Sequence, residues 1–242
     1  KYGLIGNCNV SALVSQSGAI DWCCLPRPDS EPVFASLLDP NGGSFSVKIS
    51  DNASFQSHQR YLENTNILTT EIKSKTGDAF RITDFCPRFE QHGRMFRPLS
   101  LIRIIEPIHG NPSIQVACKP VSGWSKSDVH PNRGNSHLRF DIRGEYLRLT
   151  TNMPLTYLCE QTPFLLKEKI YFCLSWNTTL EEDLPQLSER FLSQTENYWK
   201  SWVKHFSIPS LFQKETIRSA LILKLHCFED TGAILAALTT SL

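Results

Sequence analysis

Ile67-Leu68-Thr69-Thr70-Glu71-Ile72-Lys73-Ser74 and Ala79-Phe80-Arg81-Ile82-Thr83-Asp84-Phe85, joined by Lys75-Thr76-Gly77-Asp78, decide the fold class of this chain. Both runs are rich in β-branched and aromatic residues and follow a period of two, and the Gly-Asp step between them is a turn signal. The same signal extends in both directions. Toward the N-terminus, Ser11–Ser15 and Ala19–Trp22 flank Gln16-Ser17-Gly18 as a hairpin with a glycine-containing loop, and Ser44–Ile49 alternates cleanly. Toward the C-terminus, Leu99–Glu106, Ser113–Lys119, Leu138–Ile142, Tyr146–Thr151 and Lys167–Ser175 continue the series, while Gly123–Ser136 is polar and reads as a longer surface loop. About ten to a dozen short strands with turn signals between them predict a mainly β fold, a large antiparallel sandwich over residues 1–178.

Near Asn177 the period changes. Leu184, Leu187, Phe191, Thr195, Tyr198, Trp199, Trp202, Val203 and Phe206 recur at three and four, which predicts a linker helix within 179–209. Thr179-x-x-Glu182 offers a capping box for it, and Pro185 is tolerated in a first turn. Ser210-x-x-Gln213 predicts the cap of a second helix reaching about Phe228, with a further helical stretch from Thr231 to Leu242. Leu221, Ile222, Leu223 and Leu225 make this helix apolar on most sides, so it is expected to be buried between neighbours. Few such neighbours exist in the sequence. Residues 210–242 therefore read as the start of a second, helical domain that is cut short, and in isolation this end of the chain is expected to be sticky.

Composition narrows the function. With 25 basic and 24 acidic residues, nothing draws the chain toward nucleic acid or anionic lipid. No apolar run approaches the roughly 18–20 residues that span a bilayer, and Lys1–Val10 holds no secretory core, so a cytoplasmic protein is expected. The eight cysteines are scattered with no C-x-x-C pair and read as free, buried thiols. The seven histidines show no zinc-binding spacing, and no cofactor or metal is expected.

Several stretches together resemble a known family. They are Tyr2-Gly3-Leu4-Ile5-Gly6-Asn7, Ala12-Leu13-Val14-Ser15, Gly18–Ser30, Val33–Asp39, Thr83-Asp84-Phe85-Cys86-Pro87-Arg88, Tyr198-Trp199-Lys200-Ser201-Trp202, and Arg218-Ser219-Ala220-Leu221 onward. In this order they are similar to the N-terminal part of bacterial-type glycoside hydrolase family 15 proteins, the glucoamylase and trehalase group. The resemblance implies a "trehalase-like" β-sandwich ahead of an (α/α)6 catalytic barrel, of which residues 210–242 would be the first part. It also implies that the catalytic glutamates follow Leu242, so that no catalytic residue lies in this chain and the chain alone is inactive. The implied parent is an inverting, exo-acting α-glucoside hydrolase whose substrate (trehalose, a maltooligosaccharide or an α-1,6-glucan) and oligomeric state stay open. The rival reading is a non-catalytic sandwich that serves binding or assembly.

Within the chain, Asp21–Asp39 is the sharpest local feature. One reading makes it a loop at the barrel mouth, with Trp22 as a stacking platform and Arg27 and Asp29 as hydrogen-bonding groups for a sugar. The other makes it a closing loop with Trp22 buried and Arg27 paired to Asp29. Thr239 and Thr240, where the resemblance places the approach to the active centre, complete the cleft candidates. Asp84 reads as a carboxylate accepting turn N–H groups ahead of Pro87. Glu181, Glu182 and Asp183 read as charges favoured at a helix N-terminus.

Overall fold

Two antiparallel sheets stack face to face in the computed structural model, which describes residues 1–50, 54–125 and 129–238. In chain order the first strands are β1 (Tyr2–Gly6), β2 (Ser11–Ser15), β3 (Ile20–Cys24), β4 (Pro32–Phe34), β5 (Ser44–Ile49), β6 (Phe55–Tyr61), β7 (Leu68–Ser74) and β8 (Ala79–Phe85). There follow β9 (Phe89–Gln91), β10 (Arg94–Phe96), β11 (Ser100–His109), β12 (Ser113–Lys119), β13 (Pro131–Arg133), β14 (His137–Ile142), β15 (Glu145–Thr151), β16 (Phe164–Leu165) and β17 (Ile170–Trp176). One sheet has the order β1-β2-β3-β5-β12-β16 with β4 beside β3, and the other β13-β14-β15-β17-β11-β8-β7-β6. The hairpin expected at residues 67–85 is β7–β8, with Thr70 opposite Ile82 and Ile72 opposite Phe80. Gly77 turns it at φ 98°, a conformation that glycine adopts without steric cost.

Alternate residues of both sheets fill the space between them. Phe45 of β5 meets Phe172 of β17 edge-on, with ring centroids 5.4 Å apart. A charged pair is embedded there. Arg103 Nε lies 2.7 Å from Asp84 Oδ1, and both side chains are fully buried. The guanidinium also donates to the carbonyls of Phe45 and Gly18, tying the eight-stranded sheet to the other. Asp84 therefore does not serve the turn before Pro87. The rule that a buried cation needs a partner outweighs local turn chemistry at this position.

Where the strands are polar the sequence misleads. β6 is an edge strand with Phe55–His58 all exposed, so no in-out alternation marks it. The expected loop at Gly123–Ser136 contains a one-turn 3-10 segment, Gly123–Ser125, and the short edge strand β13. A brief helix, α1 (Leu155–Cys159), follows β15.

Helix α2 (Leu184–Val203) runs as its periodicity predicts, but its cap is Asp183, which accepts from the Gln186 N–H at 3.2 Å. The Thr179–Glu182 box lies ahead of the helix, and Leu180 packs on the outer face of the eight-stranded sheet. Leu184, Leu187 and Phe191 cover that face together with Phe89 of β9. The other half of α2 turns Trp199 and Val203 onto Leu4, Cys8, Leu221 and Leu225. Helix α3 (Gln213–Leu225) starts after Phe212, which sits in the left-handed region at φ 56°, with no side-chain cap from Ser210. It ends at Leu225 rather than Phe228. Beyond it β18 (Cys227–Phe228) and β19 (Ala233–Ile234) form a small hairpin where a helix was expected. Only one face of α3 is covered: Leu221 and Leu225 are buried, whereas Leu223 is 65% exposed. No helix among the described residues is long and apolar enough to cross a membrane.

Candidate functional site

The site is the junction where β3, the β8–β9 and β10–β11 connections, and the segment after α3 converge. It is built from Asn7 outward. Asn7 is fully buried at the end of β1; its amide donates to the carbonyls of Pro87 and Pro98, and its oxygen accepts from the N–H groups of Asn9 and Val10. One side chain thus fixes three segments. The Asn7 carbonyl in turn accepts from Arg88 Nη1 at 2.7 Å. Arg88, only 2% exposed, lies over the rings of Tyr198 and Trp199 and grips Glu229 with both terminal nitrogens, at 3.1 and 2.7 Å. Lys224 Nζ adds a contact of 2.6 Å to the same carboxylate, and Arg97 reaches both Glu229 and Asp230.

Glu229 is the hub of this cluster. Burial by itself would push its carboxyl up, but hydrogen bonds from Arg88 and Lys224, and their charges, hold it below the ordinary carboxylate range. It is therefore ionised at neutral pH and serves as a clasp between the sandwich and the C-terminal segment. A second clasp acts through Arg218, which donates to the Thr65 carbonyl at 2.7 Å and to the Asn66 side-chain oxygen, with its guanidinium over Tyr61. Burial pushes the Cys8 thiol up to about 11 and that of Cys24 to about 12, so neither offers a thiolate nucleophile.

The sequence candidates fall around this junction. Trp22 is 1% exposed on the outer face of its sheet, among Leu13, Cys24, Ala35 and Leu37, and its indole N–H donates to the Leu238 carbonyl at 3.0 Å. Arg27 and Asp29 pair with each other at 2.8 Å in the open, each shifting the other toward its charged form. The Arg27 guanidinium also lies over Phe228 of the C-terminal hairpin. Asp21–Asp39 thus meets the C-terminal segment twice, through Trp22 and through Arg27. Thr239 and Thr240 lie outside the described residues. Glu182 pairs with Arg190 on the exposed side of α2, apart from this junction. Sequence reasoning assigned no role to Asn7, Arg88, Arg97 or Glu229, because their roles depend on segments far apart in the chain; the available signal was that Asn7 and Arg88 stand in the quoted Tyr2–Asn7 and Thr83–Arg88 stretches.

Among the described residues no three His, Cys, Asp or Glu side chains gather as metal ligands. A cavity of about 330 Å³ lined by Lys119, His130, Leu138, Phe140 and Cys159 shares no residue with the junction.

A two-sheet antiparallel sandwich clasped to a short helical C-terminal segment is the class of protein that the geometry defines, and sequence comparison supplies the family. The trehalase-like N-terminal family profile matches residues 1–151, and the chain belongs to that family. It is similar to a trehalase of Thermoplasma volcanium, 30% identical over 248 residues, covering all of this chain and 39% of that protein. It is also similar to trehalases of Mycolicibacterium smegmatis, 29% identical over 271 residues with 40% of that protein covered, and Mycobacterium tuberculosis, 26% identical over 279 residues with 39% covered. The chain spans about 40% of the length of the curated relatives it matches. No solved structure matches it significantly.

Proposed function

We propose that this chain is the N-terminal portion of a trehalose hydrolase, and that residues 210–242 open a helical catalytic domain of (α/α)6 type. The observation that carries the reading is that the similarity to trehalases runs over the whole chain, past the sandwich and through the C-terminal segment. The surface fits it. Leu211, Phe212, Leu223 and Ile234, at 65–79% exposed, are the most exposed large apolar side chains among the described residues, and all lie in that segment. Large apolar side chains left exposed within one segment call for a covering partner, and the remaining length of a trehalase would supply it.

In this account the chemistry belongs to two carboxyl groups outside residues 1–242. One protonates the glycosidic oxygen, and the other activates water on the opposite face of the ring, at a separation of roughly 6.5–9.5 Å in inverting enzymes. The role of this chain is to hold the barrel's first helix through the Arg88–Glu229 and Arg218 clasps and to border the cleft with Arg27 and Asp29, ahead of Thr239 and Thr240, with the enclosed Trp22 anchoring the segment at Leu238. Trehalose is the substrate favoured by the relatives' names, over maltooligosaccharides and α-1,6-glucans. A cytoplasmic location accords with eight unpaired cysteines. The test is glucose release by the longer gene product from trehalose, maltotriose and isomaltose, with residues 1–242 assayed in parallel. Release from trehalose by the longer form alone is expected; release by the 242-residue chain, or a preference for isomaltose, would overturn the assignment.

A further inference from the structure

Trp124 is the one tryptophan of five that stands exposed, at 47%. It sits in the Gly123–Ser125 turn against β4, its ring centroid 6.2 Å from that of Trp22. The turn is held from several sides: the Val121 N–H donates to the Val33 carbonyl at 2.9 Å, and Ser125 Oγ donates to the Ser122 carbonyl at 2.7 Å. Gly123 adopts φ 63°, and the Glu31 carboxylate occupies the space a Cβ would need. Glu31 is itself faced by Arg143, at 3.6 Å, which also donates to the Leu25 carbonyl. An indole is thus presented to solvent by a fixed turn, backed by a second indole, with a carboxylate against the turn and a guanidinium facing that carboxylate.

That combination matches the chemistry of a pyranose. The apolar face of a glucose ring packs on an aromatic face, and its hydroxyls need charged or polar partners nearby. Trp22 cannot offer that face, being enclosed and committed through its N–H to Leu238. That same hydrogen bond ties Leu238 to the indole that backs Trp124. We propose that Trp124 is the stacking face for a glucosyl unit of the substrate, with Glu31 and Arg143 as its hydroxyl partners. The proposal deepens the glucoside-hydrolase reading and rests on it.

The experiment uses the longer gene product and its Trp124→Ala and Trp124→Phe variants. The expected result is a KM for trehalose raised about three- to tenfold in Trp124→Ala, with kcat within about twofold of wild type and Trp124→Phe near normal. The trehalose-induced change in indole fluorescence is expected to vanish in Trp124→Ala. An unchanged KM in Trp124→Ala would overturn the proposal, and so would a lower melting temperature and kcat at constant KM, the signature of an indole covered by neighbouring protein. If the protein does not hydrolyse trehalose, the functional reading fails separately. The fluorescence titration with trehalose, maltose and isomaltose then decides Trp124, since no response to any of them contradicts a sugar-stacking indole.

Discussion

Glu229 concentrates the electrostatics of the junction, and its neutralisation is a residue-scale test of it. Replacing it with Gln leaves Arg88 buried with its charge unanswered, which is expected to cost about 2–3 kcal/mol in urea-unfolding experiments at neutral pH. The pH dependence follows from the sign of its shift. The folded-state carboxyl titrates below its ordinary value of 4.5, so its stabilisation is present above that value and is lost as the pH falls through the lower folded value. The gap between wild type and Glu229→Gln is therefore expected to narrow progressively as the pH falls below 4.5. A gap that stays constant throughout acid titration would mean that the carboxylate's charge contributes nothing. Such a hub was not legible in the sequence. Arg88 stood in a recognisable motif, but its partner lies 141 residues away, and only the packed fold brings the two together.

At the scale of elements, what could be read was what burial writes into the pattern. β5, β8 and β12 alternate because each is covered on the core face, and the structure returns Ser44–Ile49, Ala79–Phe85 and Ser113–Lys119 with the bounds expected for them. β6 is held by its register with β7 rather than by an apolar face, so periodicity cannot find it. Helix α2 was legible along its length but not at its start, where two caps compete and Asp183 prevails. Asp183→Ala is expected to lower stability by about 1 kcal/mol, read from the denaturation midpoint, whereas Thr179→Ala is expected to leave it unchanged. The end of α3 was misread because apolar content looks alike in a buried helix and in a strand that pairs after a turn at Gly232. Its exposed side leads to a further prediction. Polar replacement of Leu211, Phe212, Leu223 and Ile234 is expected to make the 242-residue chain more monodisperse in light scattering while destabilising the longer protein. An equal gain in both would show that nothing covers this face.

For the whole molecule, the sandwich works as a platform whose C-terminal segment is held by the buried Asn66, which donates to the Leu221 carbonyl, by two arginine clasps and by the Trp22–Leu238 hydrogen bond. The class of fold and the order of elements were visible from patterning, and the family from a series of short matches. The convergence of Asp21–Asp39 with the C-terminal segment was implied by resemblance alone until Trp22 and Arg27 were seen to meet Leu238 and Phe228. The central claim is that this platform serves an inverting hydrolase of trehalose. Proton NMR of trehalose with the longer gene product, followed faster than mutarotation, tests it most directly. Inversion at one anomeric carbon predicts that each turnover yields one β-glucose and one α-glucose. Two α-glucose molecules per turnover, or no consumption of trehalose, would contradict it.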